Sequence, residues 1–228
     1  MRMAIFSIRT LLVLCLLWSC GQNGNSTDQP AEAKKNNSPK IDTASQVKTI
    51  LFFGNSLTAG YGVDPAEAFP ALIQNKLDSL HYDYRAINAG VSGETSAGGR
   101  GRINWILKQK VDIFVLELGA NDGLRGIPVA ETTRNLQAII DNVKAKYPDA
   151  KLLMLGMQVP PNMGAAYASN FKAMFPALAA KNKMALVPFL LNGVGGVPSL
   201  NQHDGIHPTA EGAKIVGQNV WQVLKTLL

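Results

Sequence analysis

The sequence predicts an α/β domain of three layers, in which helices cover both faces of a five-stranded parallel sheet. Short runs rich in β-branched and aromatic residues alternate with segments of helical periodicity, which is the order expected of βαβ units. The run Ile113–Leu116 is apolar at every position, as in a strand covered on both faces. Apolar residues make up 46% of the 228 residues, which is enough to fill such a core.

Each predicted element follows from this alternation. The predicted strands are Lys48–Phe53, Tyr82–Asn88, Val111–Leu118, Lys151–Met157 and Ala185–Phe189. Helical periodicity covers roughly residues 65–80, 96–109, 128–146 and 165–182, and a last helical segment spans 208–227. Sheets of this kind carry their functional sites in the loops at the carboxyl ends of the strands. In this chain those loops contain the polar residues discussed below, among them Ser56, Asn121 and His207.

The first 46 residues differ in character from the rest. Two arginines precede a short apolar run at residues 11–18, a pattern typical of an export signal and too short to span a bilayer comfortably. Residues 21–46 contain few apolar side chains and are interpreted as a flexible tether. The predicted organisation is a signal peptide at 1–19, a tether at 20–46 and a folded domain at 47–228.

Both cysteines, Cys15 and Cys20, lie in this first segment, so the folded domain contains no pair that could form a disulfide. The ending Leu17–Cys20, Leu-Trp-Ser-Cys, resembles the lipobox of bacterial lipoproteins. That resemblance implies a lipoprotein signal peptide, cleavage before Cys20 and lipidation of its thiol. We therefore expect export to the cell envelope with a lipid anchor on the periplasmic or cell-surface side. The alternative is an ordinary secretory peptide.

Residues suited to nucleophilic catalysis follow the first and fifth predicted strands. Ser56 follows an apolar strand and can open a helical turn whose N–H groups favour negative charge, or it can simply cap that helix. Asp204 and His207 are close enough in sequence for the carboxylate to orient the imidazole toward a nucleophile. The alternatives are a surface Asp-His pair and a metal site that includes His203, although no Glu or Cys cluster completes such a site.

Acyl transfer also needs hydrogen-bond donors for a developing oxyanion. Asn121 follows the third strand, where its amide can reach the cleft, and Gly93 follows the second strand with no side chain to block its N–H. The N–H of Ser56 would be the third donor. Each has a simpler interpretation, because Gly93 can be a turn glycine and Asn121 an Asx-turn residue.

Four segments in order resemble the conserved blocks of the SGNH, or GDSL, hydrolases. They are Gly54–Gly62, Asn88–Thr95, Glu117–Gly123 and Asp204–Pro208, and the resemblance covers about residues 48–226. The sequences of these four segments are most similar to those of the bacterial branch of thioesterase I, arylesterase and lysophospholipase enzymes. The resemblance implies a flavodoxin-like SGNH hydrolase fold for the catalytic domain at 47–228. One departure is Asn55, which stands where the family often has aspartate.

The resemblance implies a serine hydrolase that cleaves carboxylic esters or thioesters through an acyl-serine intermediate, with no cofactor and no metal. Ser56 would be the nucleophile, with Asp204 and His207 completing the triad. Gly93 and Asn121 would join the Ser56 N–H in the oxyanion hole. We expect Asn55 to tune this site rather than inactivate it, since asparagine keeps the size and acceptor of aspartate and loses only its charge.

The loop after the fourth predicted strand is placed to bind the acyl chain. Val159, Met163 and Tyr167 offer an apolar surface there, although they can instead pack the loop onto the next helix. The expected partners are therefore a small-molecule or lipid ester and, through Cys20, a membrane. No Lys/Arg run with interleaved aromatics is present despite a net charge of +6, so nucleic-acid binding has no support.

Two other functions compete with this hypothesis. One is a carbohydrate O-deacetylase of the same fold, which would be favoured by an aromatic platform for a sugar. Trp105 and Trp221 lie in predicted helices and are expected in the core, where they could not form that platform. The other is a non-catalytic envelope lipoprotein with a degenerate cleft, for which Asn55 is the one supporting residue.

Overall fold

The computed structural model describes residues 47–228; the predicted signal peptide, the tether and Cys20 lie outside the described residues. Five strands form one parallel sheet in the order β2-β1-β3-β4-β5. They are β1 Lys48–Gly54, β2 Tyr84–Gly90, β3 Ile113–Glu117, β4 Lys151–Leu155 and β5 Ala185–Val187. The α/β fold class predicted from the sequence is confirmed.

Helices cover the two faces of this sheet. They are α1 Ser56–Ala59, α2 Phe69–Ser79, α3 Ser96–Ile106, α4 Ala120–Leu124, α5 Val129–Lys146, α6 Ala165–Asn182 and α7 Ala210–Leu224. Helices α2 and α7 pack together on one face, and α3, α5 and α6 pack together on the other. The three layers therefore enclose a buried sheet between two helical layers, as the apolar strands predict.

Neighbouring residues of β1 show how both faces are filled. Phe52 packs edge-on against Phe69 of α2, with ring centroids 5.6 Å apart. Phe53 points to the opposite face, where it lies under the guanidinium of Arg102 in α3, 4.0 Å from the ring centroid. Because successive side chains of a strand alternate between faces, a strand buried on both sides must be apolar at consecutive positions.

Strand boundaries differ from the prediction by a few residues, and two short helices lie outside the predicted helical segments. Strand β2 begins at Tyr84 rather than Tyr82, because the N–H of Tyr82 donates to the carbonyl of Leu77 and closes the end of α2. Helices α1 and α4 were not predicted. They have four and five residues, which is too short to produce a helical periodicity in the sequence.

The two tryptophans of the predicted helices have different environments. Trp221 is buried on α7, as expected. The expectation was wrong for Trp105, which is 66% exposed. Helix α3 turns Gly99 and Ile103 toward the sheet, so Trp105 lies on its outer face beside the ammonium of Lys108. Within residues 47–228, no helix combines the length and hydropathy needed to cross a membrane.

We expect Leu136→Ala to lower the free energy of unfolding by about 2–5 kcal/mol, the usual range for truncating a fully buried leucine. Leu136 is fully buried on the inner face of α5, so the substitution leaves a cavity in the core. Urea denaturation followed by circular dichroism measures the loss. Lys144→Ala, at an exposed position of the same helix, is the matched control and should change stability by less than about 0.5 kcal/mol. Equal losses in the two variants would contradict the assigned core.

Candidate active site

Ser56 is the first residue of α1, directly beyond the end of β1. Asn55 caps this helix, since its Oδ1 accepts the N–H of Leu57 at 3.0 Å. The helix ends after one turn at Gly60, whose φ of 79° lies in the left-handed region that favours glycine. The sharp change from strand to helix puts Ser56 at the floor of a cleft with only 9% of the residue exposed.

Ser56, His207 and Asp204 form a continuous chain of hydrogen bonds. The Oγ of Ser56 lies 2.8 Å from Nε2 of His207, and Nδ1 of His207 lies 2.6 Å from Oδ2 of Asp204. With Nδ1–H donating to the carboxylate, Nε2 is free to accept the serine proton. This arrangement can activate a serine hydroxyl for attack on a carbonyl carbon.

A short turn orients Asp204. Its second oxygen, Oδ1, accepts the backbone N–H groups of Ile206 and His207 at 2.9 and 3.0 Å. These bonds, together with that from the His207 side chain, lower the pKa of Asp204 to about 2. The carboxylate therefore stays ionised through the neutral range and can stabilise a positive charge on the imidazole.

The loop that carries His207 is tied to the loop that follows Ser56. The side-chain amide of Gln202 donates to the carbonyls of Tyr61 and Pro208 at 2.7 and 2.9 Å. The ring of Tyr61 also packs on the His207 imidazole, with centroids 4.7 Å apart. Neither Gln202 nor Tyr61 was singled out from the sequence, because each contact joins segments distant in the chain.

Gly93 and Asn121 line the same cleft as Ser56. Gly93 has a φ of 77°, and no atom lies within 4 Å of where a Cβ would be, so its backbone borders open space. Its carbonyl accepts a hydrogen bond from Arg125 at 3.1 Å, which holds the peptide in place. The amide of Asn121 donates to the carbonyl of Glu94 at 2.9 Å, and its second N–H has no partner among the hydrogen bonds of the described residues.

A buried carboxyl group lies behind Ser56. Glu117, at the end of β3, is 1% exposed and accepts hydrogen bonds from the backbone N–H and the side-chain amide of Asn55 and from the hydroxyl of Thr58. Burial raises the pKa of Glu117 to about 7, while these donors act in the opposite direction. The sequence did carry a signal for it, because Glu117 is the one charged residue between Ile113 and Leu118, an otherwise apolar run.

The cleft has a volume of about 590 Å³ and a mainly apolar lining, within the usual range for a small-molecule site. Val159 lines it, together with Leu191, Phe189 and Ile206. Met163 and Tyr167 do not belong to the lining. Tyr167 belongs to α6, where it stacks on Phe171 of the same helix and donates its hydroxyl to the carbonyl of Ile127, which ties α6 to the segment before α5.

No group of three or more His, Cys, Asp or Glu side chains within residues 47–228 is arranged to hold a metal ion. His203 and Asp204 are neighbours in sequence, but the carboxylate of Asp204 is engaged by His207. The Ser56 hydroxyl, the His207 imidazole and the Asn121 amide are among the polar groups that line the cleft, and the Asp204 carboxylate bonds to His207 from outside this lining.

Comparison with known proteins identifies the group to which this site belongs. Residues 52–215 match the model of the GDSL-like lipase/acylhydrolase family. The chain is 45% identical over 182 residues to esterase TesA of Pseudomonas aeruginosa, which covers 79% of this chain and 90% of that protein. It is 36% identical over 186 residues to thioesterase 1/protease 1/lysophospholipase L1 of Escherichia coli K12, covering 81% and 87%.

The solved structures agree with the sequence matches. The crystal structure of TesA superposes with a TM-score of 0.76 at 44% identity, covering 79% of this chain and all of that one. The structure of AlinE4, described as an SGNH-hydrolase family esterase, superposes with a TM-score of 0.66 at 42% identity, covering 79% of this chain and 97% of that one. The resemblance drawn from the four sequence motifs is confirmed: the chain belongs to the GDSL-like lipase/acylhydrolase family and is a carboxylic ester hydrolase of the SGNH type.

Proposed function

We propose that the protein hydrolyses esters or thioesters of apolar acyl chains, with Ser56 as nucleophile. The observation that carries the proposal is the hydrogen-bonded chain from Ser56 through His207 to Asp204, with heavy-atom distances of 2.8 and 2.6 Å. The Oγ of Ser56 attacks the carbonyl carbon while Nε2 of His207 takes its proton. The imidazolium then protonates the leaving alcohol or thiol, and the acyl group stays on Ser56. Water, activated by the same imidazole, releases the acid and restores the serine.

The negative charge that develops on the carbonyl oxygen needs fixed donors. We assign them to the backbone N–H groups of Ser56 and Gly93 and to the side-chain amide of Asn121. Three facts support this: all three residues line one cleft, Gly93 borders open space, and Asn121 has an N–H to spare among the described residues. Donors that are already oriented need no reorganisation when the charge appears, which is why such groups contribute strongly to acyl transfer.

The acyl chain is assigned to the apolar side of the cleft. Val159 and Leu191 supply side chains there, and burial of each methylene contributes up to about 0.8 kcal/mol. Met163 and Tyr167, which the sequence suggested for this wall, are not part of the lining, so the proposed wall uses Val159 from that loop. An apolar lining also fits a lipid ester better than a carbohydrate ester, because a sugar needs hydrogen-bond partners along its ring.

The third part of the proposal is a lipid anchor. The Leu-Trp-Ser-Cys sequence that ends at Cys20 supports cleavage and lipidation there, and the polar composition of residues 21–46 suits a tether. The catalytic domain would then work beside a membrane, where esters with apolar chains are concentrated. An enzyme whose substrates were all dissolved in water would not need a lipid anchor.

Replacing the nucleophile should abolish turnover without unfolding the protein. We expect Ser56→Ala to lower kcat on p-nitrophenyl esters by about 10³-fold or more, since the acyl group then has no hydroxyl to which it can be transferred. Ser79→Ala, an exposed serine at the end of α2, is the control and should match wild type. Circular dichroism checks that both variants fold. Activity of Ser56→Ala within about tenfold of wild type would rule out the assigned triad.

The acyl wall predicts a change in chain-length preference. Val159→Asp should lower the octanoyl-to-acetyl ratio of kcat/KM by about tenfold, because a carboxylate replaces an apolar contact for the longer chain. Met163→Asp is the paired variant on the same loop, and its ratio should stay near that of wild type because Met163 does not line the cleft. If Met163→Asp alters the ratio and Val159→Asp does not, the wall has been assigned to the wrong residues.

The anchor can be tested by fractionation. Cys20→Ser should move the protein from the membrane to the soluble envelope fraction and leave ester turnover unchanged. Cys15→Ser, in the same segment, is the control and should remain in the membrane fraction. Mass spectrometry of the mature protein should show a lipidated N-terminal Cys20. An unmodified N-terminus at another residue would contradict the proposal.

A further inference from the structure

Glu117 accepts its hydrogen bonds from the turn that carries Ser56. Its Oε1 accepts the side-chain amide of Asn55 at 2.8 Å. Its Oε2 accepts the backbone N–H of Asn55 at 3.0 Å and the hydroxyl of Thr58 at 2.8 Å. These donors flank Ser56 on both sides in the sequence. A movement of the carboxylate would therefore be transmitted to the nucleophile.

Asn55 uses the two ends of its amide for opposite tasks. Its Oδ1 accepts the N–H of Leu57 and so caps α1, while its Nδ2 donates to Glu117. A flipped amide would present a donor to the N–H of Leu57 and an acceptor to a carboxylate. The orientation of Asn55 is therefore fixed by both partners, and Glu117 must supply an acceptor at each oxygen.

Space around the carboxylate is also restricted. A Cβ at Gly54 would lie 2.6 Å from Oε2 of Glu117, so the end of β1 rests directly against the group. Within residues 47–228, the side chains that donate to the carboxylate, those of Asn55 and Thr58, are uncharged. Burying a carboxyl group is costly, and an apolar side chain would fill the same volume at less cost if packing were its role.

We propose that Glu117 is a positioning residue for Ser56, and that the neutral amide of Asn55 is the partner matched to its carboxylate. The inference rests on the proposed role of Ser56 as nucleophile. In this arrangement Glu117 acts through hydrogen bonds to the turn and does not touch the substrate. Asparagine at position 55, where the family often has aspartate, thereby donates a hydrogen bond to Glu117 that an ionised aspartate could not donate.

The pairing can be tested by exchanging the two groups. In Glu117→Gln the introduced amide has only one oxygen to accept the donors of Asn55 and Thr58, so its NH₂ group is left facing one of these donors. Adding Asn55→Asp reverses the polarity of the pair. One oxygen of the introduced aspartate still accepts the N–H of Leu57, and its other oxygen accepts a hydrogen bond from the amide of the introduced glutamine. The oxygen of that glutamine accepts from the N–H of residue 55 and from the hydroxyl of Thr58. Above about pH 7, where Glu117 is ionised, the exchange leaves the total charge of the pair at minus one.

We expect Glu117→Gln to lower kcat by about 10- to 100-fold, the scale of a misplaced nucleophile, with little change in KM. Asn55→Asp alone should lower kcat by about tenfold, because two carboxyl groups then face each other and can pair only by sharing a proton. The double variant should recover kcat to within about threefold of wild type, so the two substitutions are strongly non-additive.

Two further variants distinguish a misplaced nucleophile from a destabilised protein and from a wrongly assigned nucleophile. Leu136→Ala controls for lost stability and should keep the kcat of wild type when it is assayed well below its melting temperature. Ser56→Ala tests the proposed function itself. If Ser56→Ala is inactive and Glu117→Gln keeps the wild-type kcat, the positioning role is wrong while the nucleophile stands. A double variant no better than Glu117→Gln alone would also overturn the proposal.

Discussion

The parallel register of three neighbouring strands is the constraint on which the site depends. Gly54, the last residue of β1, pairs with Gly90 of β2 on one side and with Glu117 of β3 on the other. The three strands thus end at one level, and their following loops bring Ser56, Gly93 and Asn121 to one cleft. A slip of one residue in this register would turn every side chain of a strand to the other face.

Two carboxyl groups of this site have opposite environments. Asp204 lies in a partly exposed turn, where hydrogen bonds to the charged form lower its pKa to about 2. Glu117 is enclosed, and burial raises its pKa to about 7 despite its donors. At pH values between the ordinary glutamate pKa of 4.5 and about 7, the folded protein holds a proton on Glu117 more tightly than the unfolded chain does. The stability from this group is therefore complete at acidic pH and is lost as pH rises through about 7.

Patterns that repeat along the chain predicted the fold, and short motifs predicted the site. The apolar run around Phe114 and its alternation with helical segments were sufficient for the sheet. The positions of Ser56, Asp204 and His207 followed from motifs, which need only a few neighbouring residues. Features that depend on contacts between distant segments were missed or misjudged: the exposure of Trp105 depends on which face of α3 meets the sheet, and the place of Met163 depends on how its loop packs.

The hydrogen bond between Ser56 and His207 joins residues 151 positions apart. Ser56 follows the first strand, whereas His207 precedes the last helix, so their hydrogen bond requires segments from both ends of the domain to meet. During synthesis from the N-terminus, Ser56 is added long before His207. Loops of this length close late, because many local contacts must form first to offset the lost chain entropy. The hydrogen bond between Ser56 and His207 is therefore a long-range contact, and we expect it to form after the local contacts of the strands and helices.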